Sequence, residues 1–172
     1  MKYKSEFVYI AIGSNLRILP FRNIVFFHET IKKRLPKIGL RVVSCSSNWE
    51  TYPIPYSNIP QFINSVVKCL IINKKMNNPK NLLGHLKSLE VKIGRKKKKY
   101  GISRALDIDI LDFKGLVLND NLILPHPRLH LRKFVLNPMK MIARNWKHPI
   151  YKKKIDFLIT KIKDKQQLKE KL

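Results

Sequence analysis

The apolar periodicity of this chain switches between two and about three and a half, in the order strand, helix, strand, strand, helix, strand. Few folds are open to that order. Phe7 to Ile12 reads as a first strand. From Phe21 to Leu35, residues Ile24, Phe27, Ile31 and Leu35 have helical spacing, and Pro36 with Gly39 closes that helix. Leu40 to Ser46 is a second strand. Asn48 to Pro60 holds Pro53, Pro55 and Pro60 among Ser and Asn and reads as a long loop. Phe62 to Ile72 is a third strand, apolar enough to be covered on both faces. Asn78-Pro79 gives an N-cap followed by Pro at the first helical position. Leu82, Leu83, Leu86, Leu89 and Ile93 then form one apolar stripe, with Gly94 as the expected C-cap. Arg95 to Ser103 is a charged loop, and Ala105 to Phe113 a fourth strand. Short strands are expected near Leu116–Leu118 and Leu122–Leu124, joined by an Asn119-Asp120-Asn121 turn. Helical segments are expected around Val135–Arg144 and from Ile155 onward, and the Lys/Gln-rich end after Lys163 is expected to fray. The pattern predicts an α+β domain: a ferredoxin-like β-α-β-β-α-β sandwich with an antiparallel-rich sheet and both helices on one face. A C-terminal β-hairpin and a helical extension follow.

The fourth strand carries the chemistry. Leu106, Ile108 and Ile110 alternate with other residues, and Phe113 continues the apolar set, so Asp107 and Asp109 share one face. Two adjacent carboxylates raise each other's pKa unless something positive lies between them. The chain has 11 Asp+Glu against 36 Lys+Arg, so two acids on one strand face call for a specific partner. A hard divalent cation fits, because Mg²⁺ is commonly held by one or two carboxylates together with substrate phosphates. An ordinary solvated strand face is the alternative. Arg95, Lys96, Lys97, Lys98, Lys99 and Arg104 precede the pair, and cations beside a carboxylate-held metal suit a polyphosphate substrate.

A chain of 172 residues with 44% hydrophobic content is long enough for one domain with a substantial core. No apolar run reaches the ~18 residues needed to span a bilayer. The apolar run after Met1–Glu6 is too short for a signal peptide and ends in Gly13-Ser14-Asn15. Cys45 and Cys69 lie in apolar runs and are expected as free core thiols in a reducing compartment, so the expected location is the cytoplasm. The formal charge of +25 permits a polyanionic partner, but basic residues are spread along the chain rather than gathered on one helix face. Compositional drift is the preferred reading of that charge, with no specific nucleic acid and no membrane expected.

Four segments, in order, resemble one family. Phe7-Val8-Tyr9-Ile10-Ala11-Ile12-Gly13-Ser14-Asn15-Leu16 is similar to the opening of the 6-hydroxymethyl-7,8-dihydropterin pyrophosphokinases of folate synthesis. Thr51-Tyr52-Pro53 with Gln61-Phe62-Ile63-Asn64 resembles that family's pterin-binding loop and strand. Arg104-Ala105-Leu106-Asp107-Ile108-Asp109-Ile110-Leu111 resembles its metal-binding strand. Leu124-Pro125-His126-Pro127-Arg128, then Arg132-Lys133-Phe134-Val135-Leu136-Asn137-Pro138, resembles its nucleotide-side signature. The resemblance runs from about residue 7 to 149, leaving 150–172 as a basic helical tail on a single domain of 1–172.

The resemblance implies transfer of diphosphate from ATP to 6-hydroxymethyl-7,8-dihydropterin, releasing AMP, by a monomeric enzyme. It implies that Asp107 and Asp109 bind two Mg²⁺ ions on the ATP phosphates. Asn64 would hydrogen-bond the pterin edge, helped by backbone from Thr51, Tyr52, Pro53 and Ile54, with Phe62 and Phe134 stacking on the ring. Arg95, Arg104, His126 and Arg132 match ATP contacts, Arg95 and Arg104 also acting in catalysis. Glu90 matches a carboxylate near the nucleotide, Tyr100 stands where an indole is usual, and Ile110 matches a strand residue whose backbone reads adenine. The chain departs from the family at Gly101-Ile102-Ser103-Arg104, where Gly-Pro-Arg is usual, and in Lys96–Lys99, where Arg is more frequent. Arg gives bidentate phosphate contacts that Lys cannot. Two other readings stay open at this level: a catalytically degenerate member, and a basic RNA-binding module of the same architecture. Against the second, the chain lacks the aromatic Lys/Arg-Gly-Phe/Tyr-Gly/Ala-Phe pattern, and its acid pair would repel a phosphate backbone.

Overall fold

A computed structural model describes residues 6–15, 24–53, 58–93, 105–163 and 168–171. The elements are β1 (Phe7–Ser14), α1 (Ile24–Lys32), β2 (Leu40–Cys45), β3 (Asn48–Thr51), β4 (Phe62–Ile71), α2 (Pro79–Lys92), β5 (Asp107–Phe113), β6 (Leu118–Asn119), β7 (Ile123–Leu124), α3 (Lys133–Ile142), α4 (Ile155–Lys161) and β8 (Leu168–Lys171). Among the described residues the main sheet has six strands in the order β5-β1-β4-β3-β8, with β2 also paired to β4. Every pairing in it is antiparallel. β2 and β3 occupy successive stretches of one side of β4, from Leu40 opposite Ile71 to Thr51 opposite Phe62. Ser46 bridges the break between them: its N–H donates to Val66 O (2.9 Å), and its hydroxyl accepts from Val66 N–H (2.9 Å).

Period-two patterning supplies a core on each face of the sheet. Val8, Ile10 and Ile12 of β1, Val67 and Cys69 of β4, and Ile108 and Ile110 of β5 are buried with Ile31 of α1 and Leu82, Leu86 and Leu89 of α2. Each such fully buried aliphatic side chain contributes about 1.5–3 kcal/mol. Thus α1 and α2 share one face, as the patterning predicts. The other face is not bare. Tyr9, Val66 and Leu111 pack there against Val135, Leu136 and Met139 of α3 and Ile155 and Leu158 of α4. The helical extension therefore closes a second layer over the sheet.

A register shift in β5 serves both cores. Ile10 pairs with Ile110 but Tyr9 pairs with Asp112, so Leu111 is the extra residue of a bulge. Leu111 turns to the second core while Ile110 and Phe113 stay in the first, which explains the odd spacing of Phe113. Asp112 is buried by the same shift. It accepts from the Trp146 indole N–H (2.6 Å) and the Gly115 N–H (2.8 Å), and burial still holds its pKa above the ordinary range.

The structure corrects several expectations. Asn48–Thr51 is a strand, not the start of a loop, because Trp49, Glu50 and Thr51 find ladder partners on both sides. The tail does not simply fray: Leu168–Lys171 returns as β8 along β3, where Ser47 Oγ donates to Glu170 Oε1 (2.5 Å). The first helix ends at Lys32, and Pro36 lies inside a separate 3₁₀ turn, Leu35–Ile38, capped by Gly39 with φ of 89°. β5 begins at Asp107 rather than Ala105. The cap residue of α2 is Ile93; its N-cap is Asn78, as predicted, with Oδ1 accepting from Lys80 N–H and Asn81 N–H. Cys69 is buried, but Cys45 is exposed and so is not a core thiol.

Candidate active site

The second face of the sheet, at the C-terminal end of β1, gathers the polar residues. Asn64 of β4, Gly13 of β1 and Asp107 of β5 are consecutive ladder partners and form one row across three strands. Ala11 with Asp109 begins the next row. Small residues on the central strand keep the floor low between an amide on one side and two carboxylates on the other. Gly13 suits that arrangement: a Cβ there would lie 3.0 Å from Asn64 Oδ1, a tight contact that would push the amide aside by a few tenths of an ångström. Asn64 donates through Nδ2 to Thr51 Oγ1 (2.9 Å), which fixes its rotamer from β3. Phe62 pairs with Thr51 and shares this face, and Trp49 stands directly opposite Asn64. The Trp49 indole N–H is buried without a hydrogen-bond partner among the described residues.

The rest of the opening motif is structural support. Asn15 donates to Pro60 O (3.0 Å), tying the end of β1 to the segment that leads into β4. Ser14 and Ser65, on the opposite face, flank the buried His28 of α1 at 2.7 and 3.2 Å. Burial, reinforced by Lys32, pushes the His28 pKa down to about 3, so the ring is neutral. The helix is thereby fastened beneath the row that carries Asn64 and Gly13.

The acid pair sits at an open sheet edge that α2 completes. Lys87 and Glu90 are three residues apart and so share a helix face. Glu90 Oε1 accepts from Ile108 N–H (2.7 Å), and Lys87 Nζ donates to Ile108 O (2.8 Å) and to Glu90 Oε1 (2.7 Å). The two side chains thus satisfy both backbone groups of Ile108 that face away from β1. Strand alternation turns the N–H and C=O of Ile110 toward the same edge. The Lys87 ammonium also lies 3.4 Å from Asp109 Oδ1 and 4.0 Å from Asp107 Oδ1.

His126 approaches from the other side. Its N–H donates to Leu111 O (2.8 Å), the carbonyl freed by the bulge. Its Nδ1 accepts from Arg128 N–H (3.1 Å), which leaves the proton on Nε2, 3.8 Å from Asp109 Oδ2. Burial lowers the His126 pKa, with Arg132 and Arg128 adding to that and Asp109 opposing it. Phe134 lies in the first turn of α3, partly buried on the second face, with the Arg132 guanidinium 5.4 Å from its ring centroid. α3 packs on β4 and β3, the strands of Asn64 and Thr51. Tyr52 is exposed and Pro53 buried at the end of β3. Ile54, Arg95, Tyr100 and Arg104 lie outside the described residues.

Two side-by-side carboxylates with a cation already close to both form a hard-oxygen donor set, which fits Mg²⁺ taken together with substrate phosphates. Residues 9–144 match the family model described as 7,8-dihydro-6-hydroxymethylpterin-pyrophosphokinase (HPPK). The chain belongs to this family. It is 34% identical over 148 residues to the 2-amino-4-hydroxy-6-hydroxymethyldihydropteridine pyrophosphokinase of Aquifex aeolicus, covering 85% of this chain and 86% of the relative. The protein of the same description from Haemophilus influenzae is 32% identical over 136 residues, covering 78% and 80%. The folic acid synthesis protein fol1 of Pneumocystis carinii is 34% identical over 147 residues, 85% of this chain but 19% of the relative. The chain thus spans about a fifth of the length of such larger relatives and most of the length of the bacterial ones.

Sequence reasoning placed the acid pair, Asn64 and the two phenylalanines on what proves to be one face. It did not find Lys87, the role of Gly13, or the His28 anchor. Lys87 was legible only as one lysine among many on a helix. The positions of Gly13 and His28 depend on strand register.

Proposed function

We propose that the chain is an ATP-dependent pyrophosphokinase that transfers diphosphate from ATP to 6-hydroxymethyl-7,8-dihydropterin in folate synthesis. The observation that carries this reading is the row Asn64–Gly13–Asp107 in a family member, which sets an amide and an acid pair on one face, where a pterin and a nucleotide-bound metal would need them. The hydroxymethyl oxygen attacks the β-phosphorus. The bond from that phosphorus to the bridging oxygen of AMP breaks, AMP leaves, and the hydroxyl proton passes to solvent. Two Mg²⁺ ions held by Asp107 and Asp109 would neutralise the triphosphate and polarise the attacking hydroxyl.

The chain's own residues do the positioning that dominates such transfers. Asn64, oriented by Thr51, reads the pterin edge. Phe62 and Phe134 stack on its ring, and backbone groups of Thr51, Tyr52, Pro53 and Ile54 help bind it. Arg132, His126, Arg95 and Arg104 take the phosphate charge, and Tyr100 contacts the nucleotide in the role the family gives an indole. The Ile110 backbone, on the open edge of β5, holds the nucleoside, while the buried Glu90, bonded to Ile108 N–H and Lys87, acts near the nucleotide by fixing that edge.

We further propose that the sheet has the ferredoxin-like β-α-β-β-α-β arrangement, a reading supported by the order β5-β1-β4-(β2/β3) with α1 and α2 on one face. The protein works as one domain over 1–172 and as a monomer. Its free thiols suit the reducing cytoplasm. Asp107→Asn and Asp109→Asn test the site. Each should lower pterin-dependent AMP formation by at least about a hundredfold with the melting temperature kept, the scale expected when a metal's charge stabilisation is removed. Near-normal turnover in either variant contradicts the assignment.

A further inference from the structure

The side chain of Lys87 does more than cap a strand edge. Its ammonium bonds Ile108 O at 2.8 Å and Glu90 at 2.7 Å, and stands 3.4 and 4.0 Å from the carboxylates of Asp109 and Asp107. It is 38% exposed, so it sits at the rim rather than in the core.

We propose that Lys87 is the resident counter-ion of the acid pair. It holds Asp107 and Asp109 side by side before metal arrives, and it makes the pair a poor site for a bare divalent ion. This deepens the reading that the two aspartates bind metal, and rests on it. A dication beside the carboxylates would stand within a few ångströms of the ammonium. Like-charge repulsion at that range, screened as at a protein surface, weakens binding by about tenfold or more. The ATP phosphates bring the negative charge that offsets the ammonium. Metal is therefore taken up with nucleotide rather than ahead of it. Lys87 is a positioning residue in this scheme; its anchors on Ile108 and Glu90 remain when the carboxylates turn to the metal.

Mn²⁺ titration followed by electron paramagnetic resonance tests this, with and without a non-hydrolysable ATP analogue. Lys87→Gln keeps a donor for Ile108 O and removes the charge. It should bind Mn²⁺ alone about tenfold more tightly than the parent, and change Mn²⁺ binding in the presence of the analogue far less. Lys87→Arg keeps the charge and should resemble the parent. Lys87→Met provides a second uncharged variant, with circular dichroism reporting the fold of each. A purely structural role would weaken both kinds of binding, which would overturn the proposal, as would unchanged Mn²⁺ affinity in the uncharged variants. Asp107→Asn and Asp109→Asn in the same titration separate the failures. If they leave Mn²⁺–nucleotide binding intact, the metal assignment itself falls and Lys87 with it. If they abolish it while Lys87→Gln changes nothing, the Lys87 proposal alone falls.

Discussion

Asn64 shows how one polar residue in an apolar strand can be tolerated and used. Taking an amide out of water costs free energy unless it is hydrogen-bonded; Asn64 is half-buried, and Thr51 takes one of its protons at 2.9 Å. Gly13 lets its oxygen lie over β1. Asn64→Ala should raise the KM for the pterin about tenfold or more, equivalent to losing one or two good hydrogen bonds, while the KM for ATP stays close to the parent value. Equal losses for both substrates would contradict a pterin-reading role. His28 makes a separate prediction about acid stability. Its pKa is near 3 when folded and 6.5 when unfolded. Between those values the unfolded chain binds more protons, so stability rises with pH in that window and falls as pH drops from 6.5 toward 3. His148, pushed by burial to about 4, acts in the same direction. The melting temperature should fall steadily below pH 6.5, and His28→Gln, which can still bond both serines, should flatten that fall. An unchanged pH slope in the variant would refute the assignment.

At the scale of elements, the least expected strand is β8. It pairs with β3 along Asn48–Thr51 and covers an edge that would otherwise lie open. β3 carries Thr51 and Trp49, so the chain's last described residues brace one wall of the site. Deleting residues 164–172 should lower the melting temperature by about 2–4 °C, as loss of about 1 kcal/mol does in a domain of this size. It should also raise the pterin KM more than the ATP KM. If the truncated chain keeps both values, β8 is ornamental to the site. This strand was illegible in the sequence because Leu168-Lys169-Glu170-Lys171 has no alternating apolar face; pairing alone makes it a strand. The same holds for Asn48–Thr51, where the turn-forming neighbours Ser46, Ser47 and Pro53 disguise four paired residues. By contrast β1, β4, α2 and β5 were legible, because each buries a periodic apolar set. The acid pair was legible too: period two puts Asp107 and Asp109 together whatever the rest of the chain does. The bulge at Leu111, which frees the carbonyl that seats His126, leaves no mark in composition or period.

For the molecule as a whole, two cores on one sheet explain how a strongly basic chain of this size holds a polar row open. α1 and α2 support the sheet from one side. α3 and α4 cover most of the other and leave the end where Asn64, Gly13 and Asp107 lie in line. In the proposed reading the acid pair, offset by Lys87, would keep a place for metal within a chain whose net charge is +25. Attack on the β-phosphorus of ATP distinguishes diphosphate transfer from ordinary phosphoryl transfer. Phosphorus NMR of the products formed from ATP, Mg²⁺ and 6-hydroxymethyl-7,8-dihydropterin reads this directly. AMP and a pterin diphosphate in equal amounts, with no AMP when the pterin is left out, are the predicted result. ADP with a monophosphorylated product, or an unchanged ATP spectrum from the folded protein, would contradict it.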